Sequence, residues 1–258
     1  TVDLGGSTPS PRIIVDTDGR EDVACHATDP VVAATQPPVA RLLFQDKRHQ
    51  YLCTGELIRG SHENTLITNA HCIDSQTVVD TLEARFNYQH TTCGGAVLAD
   101  SQSFAGDTFL RSNSERYHRR KANTGLDYAL LTLNGNPEGI FGELVPTTAS
   151  IDVGTTMNFI QHGAGNPKQI GWWEDAAHSV RCHVATVDQT YGASYPNSQI
   201  GYGCDSEGGS SGSAITRASD GKVIGLHHYG GVTPELNSGT MMSLICANAG
   251  GLLTCDEN

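Results

Sequence analysis

Nowhere in these 258 residues do 18 apolar residues follow one another, which leaves no candidate for a membrane-spanning helix. Positive charge is also scarce: 16 Lys and Arg stand against 28 Asp and Glu, for a net charge of −12. Binding a phosphate backbone needs clustered Lys and Arg, so neither nucleic acid nor a membrane is expected as a partner. The eight cysteines contain no Cys-x-x-Cys pair, which argues against a zinc ribbon or a thioredoxin-like site. His62-Glu63 lacks the second histidine of a zinc-hydrolase helix. The acidic run from Asp16 to Asp22 lacks the spacing of an EF-hand and reads as a solvated turn. No metal and no cofactor is therefore expected. An initiator Met and a signal-like apolar segment are missing too. The expected species is a secreted, extracellular chain from which a signal and a propeptide have been removed.

What the chain does have is glycine, 29 residues of it, and an even number of cysteines. Frequent glycine with poor helix punctuation leans towards β structure with many turns. Eight cysteines without metal spacing suit four disulfides formed in an oxidising compartment. Residues 1–12 are rich in Gly, Ser, Thr and Pro and read as an exposed tail. Short strand-like segments follow at 39–44, 51–58, 65–68, 77–88 and 127–133. Asn134-Gly135-Asn136-Pro137 then marks a turn. A second series lies at 156–161, 179–187, 213–215 and 223–228, with Asp220-Gly221 as a hairpin signal. The C-terminal stretch from Cys246 to Cys255 reads as a small disulfide loop, and no terminal helix is identified.

Three polar residues stand out against this background. Gly208-Gly209-Ser210-Ser211-Gly212-Ser213-Ala214 places glycines on both sides of a serine, so the backbone can bend and present the hydroxyl. A serine hydroxyl is a weak nucleophile that needs a base within hydrogen-bond reach and a third group to orient that base. Thr68-Asn69-Ala70-His71-Cys72 supplies a histidine after an apolar run, and Asp127-Tyr128-Ala129-Leu130-Leu131 an aspartate at the head of another. The order His, Asp, Ser excludes the hydrolase elbow, in which the serine comes first.

These motifs resemble the trypsin/chymotrypsin-like serine endopeptidases, and most of all the secreted bacterial lysyl endopeptidases. The resemblance is carried by Cys53-Thr54-Gly55-Glu56-Leu57, by Phe86-Asn87-Tyr88-Gln89-His90-Thr91-Thr92-Cys93, and by the segments 127–133, 207–214 and 223–226. The segment 230–237 is more similar to the glutamyl endopeptidases. The resemblance implies an all-β fold of two six-stranded antiparallel β-barrels packed face to face, with the catalytic site in the cleft between them. Residues 1–24 would be an N-terminal arm, 25–140 the first barrel with His71 and Asp127, and 141–258 the second with Ser211. It also implies the disulfides Cys53–Cys72 and Cys25–Cys93, leaving Cys182–Cys204 and Cys246–Cys255, and a monomer acting on protein or peptide substrates.

In such an enzyme Ser211 would attack the scissile carbonyl, His71 would relay the proton and Asp127 would orient the imidazole. The backbone N–H groups of Gly209 and Ser211 would form the oxyanion hole. Arg12-Ile13-Ile14-Val15 resembles a tryptic activation site, but the residue before the nucleophile is Ser210 rather than an aspartate, so the usual activation salt bridge is not expected. For specificity the residues point two ways. Asp205, six before the nucleophile and followed by Ser206, would favour Lys or Arg at P1. His227 matches the wall position where glutamyl endopeptidases contact an acidic P1. The later segment that supplies the aspartate in lysyl endopeptidases, here near Leu236-Asn237-Ser238, has none. His228, Tyr229 and Gly230 would form the edge that pairs with the substrate backbone, and Trp172 and Trp173 read as core or rim aromatics. A catalytically silent binding protein on the same fold is the other function class.

Overall fold

The computed structural model describes residues 2–3, 14, 18–113, 125–175, 177–191 and 195–258, residues 2–3 by their backbone alone. Fifteen strands are described: β1 (Val2–Asp3), β2 (Arg20–Asp22), β3 (Val39–Asp46), β4 (His49–Leu57), β5 (Thr65–Thr68), β6 (Glu83–Phe86), β7 (Gln102–Asn113) and β8 (Tyr128–Leu133), then β9 (Met157–Gln161), β10 (Gln169–Gly171), β11 (Val184–Gln189), β12 (Gln199–Tyr202), β13 (Ala214–Arg217), β14 (Val223–Thr233) and β15 (Leu236–Met241). Four short α-helices punctuate them: α1 (Pro30–Thr35), α2 (Gln76–Val79), α3 (Pro137–Phe141) and α4 (Met242–Ala249).

The first sheet runs β4-β3-β6-β7-β8-β5 and closes on itself because β5 also pairs with β4, with β1 added outside the ring. The second runs β11-β12-β15-β14-β13-β9-β10-β2. Its β9 and β11 ends are joined by a bridge between Thr156 and His183, with Val184 N–H donating to the Thr155 carbonyl at 2.9 Å. The all-β, two-barrel expectation holds. Four local readings do not. Val2–Asp3, read as part of an exposed tail, pairs with β4. Residues 76–79 form α2 rather than the start of a strand, and only Glu83–Phe86 pairs. Arg20–Asp22, read as part of an arm, joins the second sheet through β10. A C-terminal helix exists: α4 buries Met242, Ile245 and Ala249, three and four residues apart, and ends at Gly250 in the left-handed region (φ 65°).

Strand β8 explains how the barrels meet. Its six residues are all buried, and strand side chains alternate between faces. Leu131 and Leu133 point into the first barrel with Leu42, Phe44 and Phe86. Tyr128 and Leu130 point the other way, into an apolar layer shared with Ala214, Leu226, Met242 and Ile245 of the second half. A strand covered on both faces needs an unbroken apolar run, which is why Tyr128-Ala129-Leu130-Leu131-Thr132-Leu133 lacks alternation. The disulfides Cys53–Cys72 and Cys25–Cys93 implied by the resemblance form, and so do the remaining pairs Cys182–Cys204 and Cys246–Cys255.

Lys168 joins the two halves from the inside. Fully buried, it donates its Nζ to the Gln36 carbonyl at 2.6 Å and its backbone N–H to the Tyr88 carbonyl at 2.8 Å. Burial pulls its ammonium down to about 7. In the unfolded chain a lysine keeps its proton to about pH 10.4. Between these values the unfolded state binds more protons, so Lys168 makes stability rise with pH from about 7 to about 10 and adds nothing to the slope below that window. Glu56, whose carboxyl burial raises well above its usual range, gives a slope of opposite sign. Lys168→Met should flatten the upward component by at most about 1.4 kcal/mol per pH unit relative to the parent. Urea midpoints of the two proteins at pH 7, 8 and 9 check this, since Glu56 contributes equally to both. Parallel pH profiles would refute it.

Candidate active site

His71 and Asp127 meet because of strand pairing. β5 and β8 are antiparallel, with Thr68 opposite Ala129. The chain leaving β5 and the chain entering β8 therefore lie at the same end of the barrel. Beyond Thr68 the backbone turns on Asn69, whose carbonyl accepts from Cys72 and Ile73 N–H at 3.2 and 3.1 Å. The Cys53–Cys72 disulfide ties that turn to β4. Asp127 sits in the left-handed region (φ 51°), which an aspartate tolerates better than most residues. This conformation aims its carboxylate back at the turn. Oδ1 accepts the His71 backbone N–H at 2.9 Å and Oδ2 faces the His71 Nδ1 at 2.6 Å. The Asn69 amide nitrogen donates to the Asp127 carbonyl at 2.9 Å.

A second imidazole shares this carboxylate. His228 Nδ1 lies 3.2 Å from Asp127 Oδ2. Burial alone would raise the Asp127 carboxyl, but the charge and hydrogen bonds of the His71 and His228 rings outweigh it and hold it well below the usual carboxylate range. The carboxylate is thus ionised throughout the neutral range. The side chain of His228, expected on the substrate edge, instead packs behind Asp127 and against the Tyr229 ring.

Ser211 reaches the same place from the second barrel. Its carbonyl accepts the Thr54 N–H at 2.9 Å, one residue from the disulfide that holds the His71 turn. The bend needs both flanking glycines. Gly209 (φ 102°) and Gly212 (φ 88°) have conformations closed to most L residues, and a Cβ on Gly212 would meet the Thr54 carbonyl and the Thr68 hydroxyl at 2.3 Å each. Thr54 also donates its hydroxyl to the Gly209 carbonyl at 2.8 Å and accepts the His162 N–H at 3.0 Å. Ser210 takes part in a neutral network: its hydroxyl donates to Gln161 Oε1 and accepts the Glu207 N–H. Arg12, Ile13 and Val15 lie outside the described residues.

The residues expected to form the pocket are organised by a short segment far upstream. Gly19 N–H donates to Asp205 Oδ2 at 2.7 Å, and the Gln161 amide donates to the Asp205 carbonyl. Asp205 and Ser206 are buried. Ser206 donates to Asn237 Oδ1 at 3.0 Å, and Asn237 donates to the Cys204 carbonyl. His227 faces the buried Tyr202 hydroxyl through Nδ1. Burial, reinforced by the neighbouring His228 and His71, drives its imidazole well below the usual range, so it is neutral. Tyr229 is 53% exposed, while Gly230 is buried. Trp172 is sandwiched between His26 and Arg181.

Sequence reasoning missed Thr54, Gly19, Arg20 and Tyr202, which act on the site through other residues. Asp18, from the acidic run, pairs with Arg20, and Asp22 accepts from Gly94 N–H at 2.9 Å and faces the His90 ring. Cys53, His71 and Cys72 lie close enough to suggest a metal cluster, but both sulfurs are spent in a disulfide. The Arg20 side chain, 3% exposed, bonds Asp18 at 2.7 Å and Glu207 at 2.8 Å. Glu207 begins the bend that carries Ser211. Removing one partner of a buried pair strands the other. Arg20→Ala should therefore destabilise the fold by about 3 kcal/mol, read as a lowered urea midpoint. A loss below about 0.5 kcal/mol would place the pair with surface salt bridges instead.

Among solved structures, the Rv3671c protease from M. tuberculosis in its active form superimposes with a TM-score of 0.59 at 16% identity, over 98% of this chain and 97% of that one. The HtrA-type protease AlgW with tripeptide gives 0.58 at 15% identity, over 84% and 60%. At such identities the likeness is one of fold. Secreted RxLR effector protein 73 of Plasmopara viticola is 31% identical over 214 residues, 83% of this chain and 50% of the effector. The chain thus spans about half the length of that relative. The family model of the lysyl endopeptidase C-terminal domain matches residues 17–239. That match takes in His71, Asp127 and Ser211 together, and the chain belongs to this family of serine proteases.

Proposed function

We propose that the protein is a secreted serine endopeptidase that hydrolyses peptide bonds through an acyl-enzyme on Ser211. The observation that carries this reading is the 2.6 Å contact between His71 Nδ1 and a buried, ionised Asp127. With Nδ1–H held by the carboxylate, the other imidazole nitrogen is the basic one. It takes the Ser211 proton as Oγ attacks the scissile carbonyl. The imidazolium formed is stabilised by Asp127 and then gives the proton to the leaving amine. Water repeats the sequence on the acyl-enzyme. The N–H groups of Gly209 and Ser211 would hold the oxyanion, at about 3 kcal/mol per donor.

At P1 we propose Lys or Arg, bound by Asp205. Burial keeps the His227 imidazole uncharged, and an uncharged imidazole is a poorer partner for an acidic P1. Four disulfides suit an oxidising, extracellular setting, and the curated relative is named as secreted.

That relative is also named as an effector, which keeps a non-catalytic protein in view, and one experiment separates the two. A fluorophosphonate should add its mass to Ser211 in the parent and leave Ser211→Ala unlabelled, with kcat falling on the order of 10⁶-fold in the variant. No adduct on the folded parent would remove the enzyme reading. A mixed peptide library should be cut after Lys and Arg, and Asp205→Asn should abolish that preference. Cleavage after Glu or Asp would overturn Asp205 as the determinant and assign the role to His227.

A further inference from the structure

β4 has two edges. One is taken along the whole hairpin by β3. On the other, three partners follow one another. Glu56 and Leu57 pair with β5. The Thr54 N–H goes to the Ser211 carbonyl. Leu52 and Tyr51 then pair with β1, Val2 opposite Leu52 and Asp3 opposite Tyr51. The N-terminal strand thus occupies the edge immediately beyond Ser211. The Leu52 side chain there abuts Gly165, in the loop whose Ala164 N–H bonds the Gly208 carbonyl.

Polarity decides what this strand resembles. The pairing is antiparallel, so in passing from Val2 to Asp3 the chain moves from Leu52 to Tyr51, away from Ser211. The part of a peptide that follows a bond attacked by Ser211 must also lead away from the serine. An extended peptide gains affinity by adding a strand to a free sheet edge, and this edge is the one beside the nucleophile.

We infer that the N-terminal strand of this chain sits in the seat required by the leaving-group half of a substrate, as an internal competitor that substrates displace. The inference rests on Ser211 being the nucleophile. The strand belongs to the same chain as the edge it pairs with, and such intramolecular linkage gives an effective concentration of the order of millimolar. A two-residue pairing is weak in itself. The outcome is competition rather than a block, and it acts only on substrates that extend past the scissile bond.

The test uses the full chain with Val2→Pro and Asp3→Pro together, because proline has no N–H for a ladder. Two substrates share the library-selected residues up to the scissile bond. One ends there in an aromatic amide; the other continues for four residues. The proline variant should lower KM for the extended peptide by about threefold or more, leaving its kcat and both constants for the amide unchanged. Val2→Ala with Asp3→Ala keeps the backbone donors and should behave as the parent. An unchanged KM for the extended peptide, or an equal shift for both substrates, overturns the inference while leaving the protease reading intact. No turnover of either substrate by the parent, with no fluorophosphonate adduct on Ser211, removes the reading beneath it and the inference with it.

Discussion

Thr54 uses every polar group it has to hold two barrels against one another. Its N–H meets the Ser211 carbonyl, its carbonyl takes the Thr68 hydroxyl, and its own hydroxyl bridges the Gly209 carbonyl and the His162 N–H. Each bond alone contributes about 1 kcal/mol. Together they fix the bend that bears Ser211 against the strand from which β5 and the His71 turn are hung. Gly212 has no side chain because the space where one would go is already filled by Thr54 and Thr68. The relative placement of serine and histidine is thus set by the backbone and hydroxyl of one residue, with the Cys53–Cys72 disulfide as the covalent brace beside it.

Burial treats the ionisable groups around this junction differently, and the outcome tracks their partners. Asp127 keeps its charge because two imidazoles face it. His227, Lys168 and His162 have no carboxylate opposite them among the described contacts, and burial drives each towards its neutral form, His162 to about 3 and Lys168 to about 7. The His162 Nδ1 faces the Asn166 carbonyl, which fixes the proton on that nitrogen.

Much of this could be read from the residues. His71, Asp127 and Ser211 announce themselves because each sits at a break in an apolar or glycine-rich pattern, and strand ends are where a barrel exposes side chains. The unbroken apolar run of β8 was legible for the same reason. What escaped was whatever depends on partners distant in sequence. Residues 76–79 carry β-branched side chains but lie at a corner, where a short helix satisfies the backbone better than an edge strand would. Helix α4 is only eight residues long, and its Met242, Ile245, Ala249 and Gly250 pattern is masked by Cys246, which with Cys255 reads as a loop closure. His228 read as a groove residue from its place in the strand, because the rotation of its side chain towards Asp127 is decided by a residue about a hundred positions away.

Gly19 and Arg20 are adjacent, yet one holds the carboxylate of Asp205 and the other the carboxylate of Glu207. Neither touches His71 or Asp127 among the described contacts. The loop proposed to choose a substrate and the dyad that would activate the serine are therefore suspended from different parts of the chain. Such a molecule has two nearly independent adjustment points. Changes at Gly19 would act on the Asp205 side of such a pocket, whereas Arg20, through Glu207, also reaches the bend that carries Ser211, so recognition could diversify most freely at the first of these two neighbours.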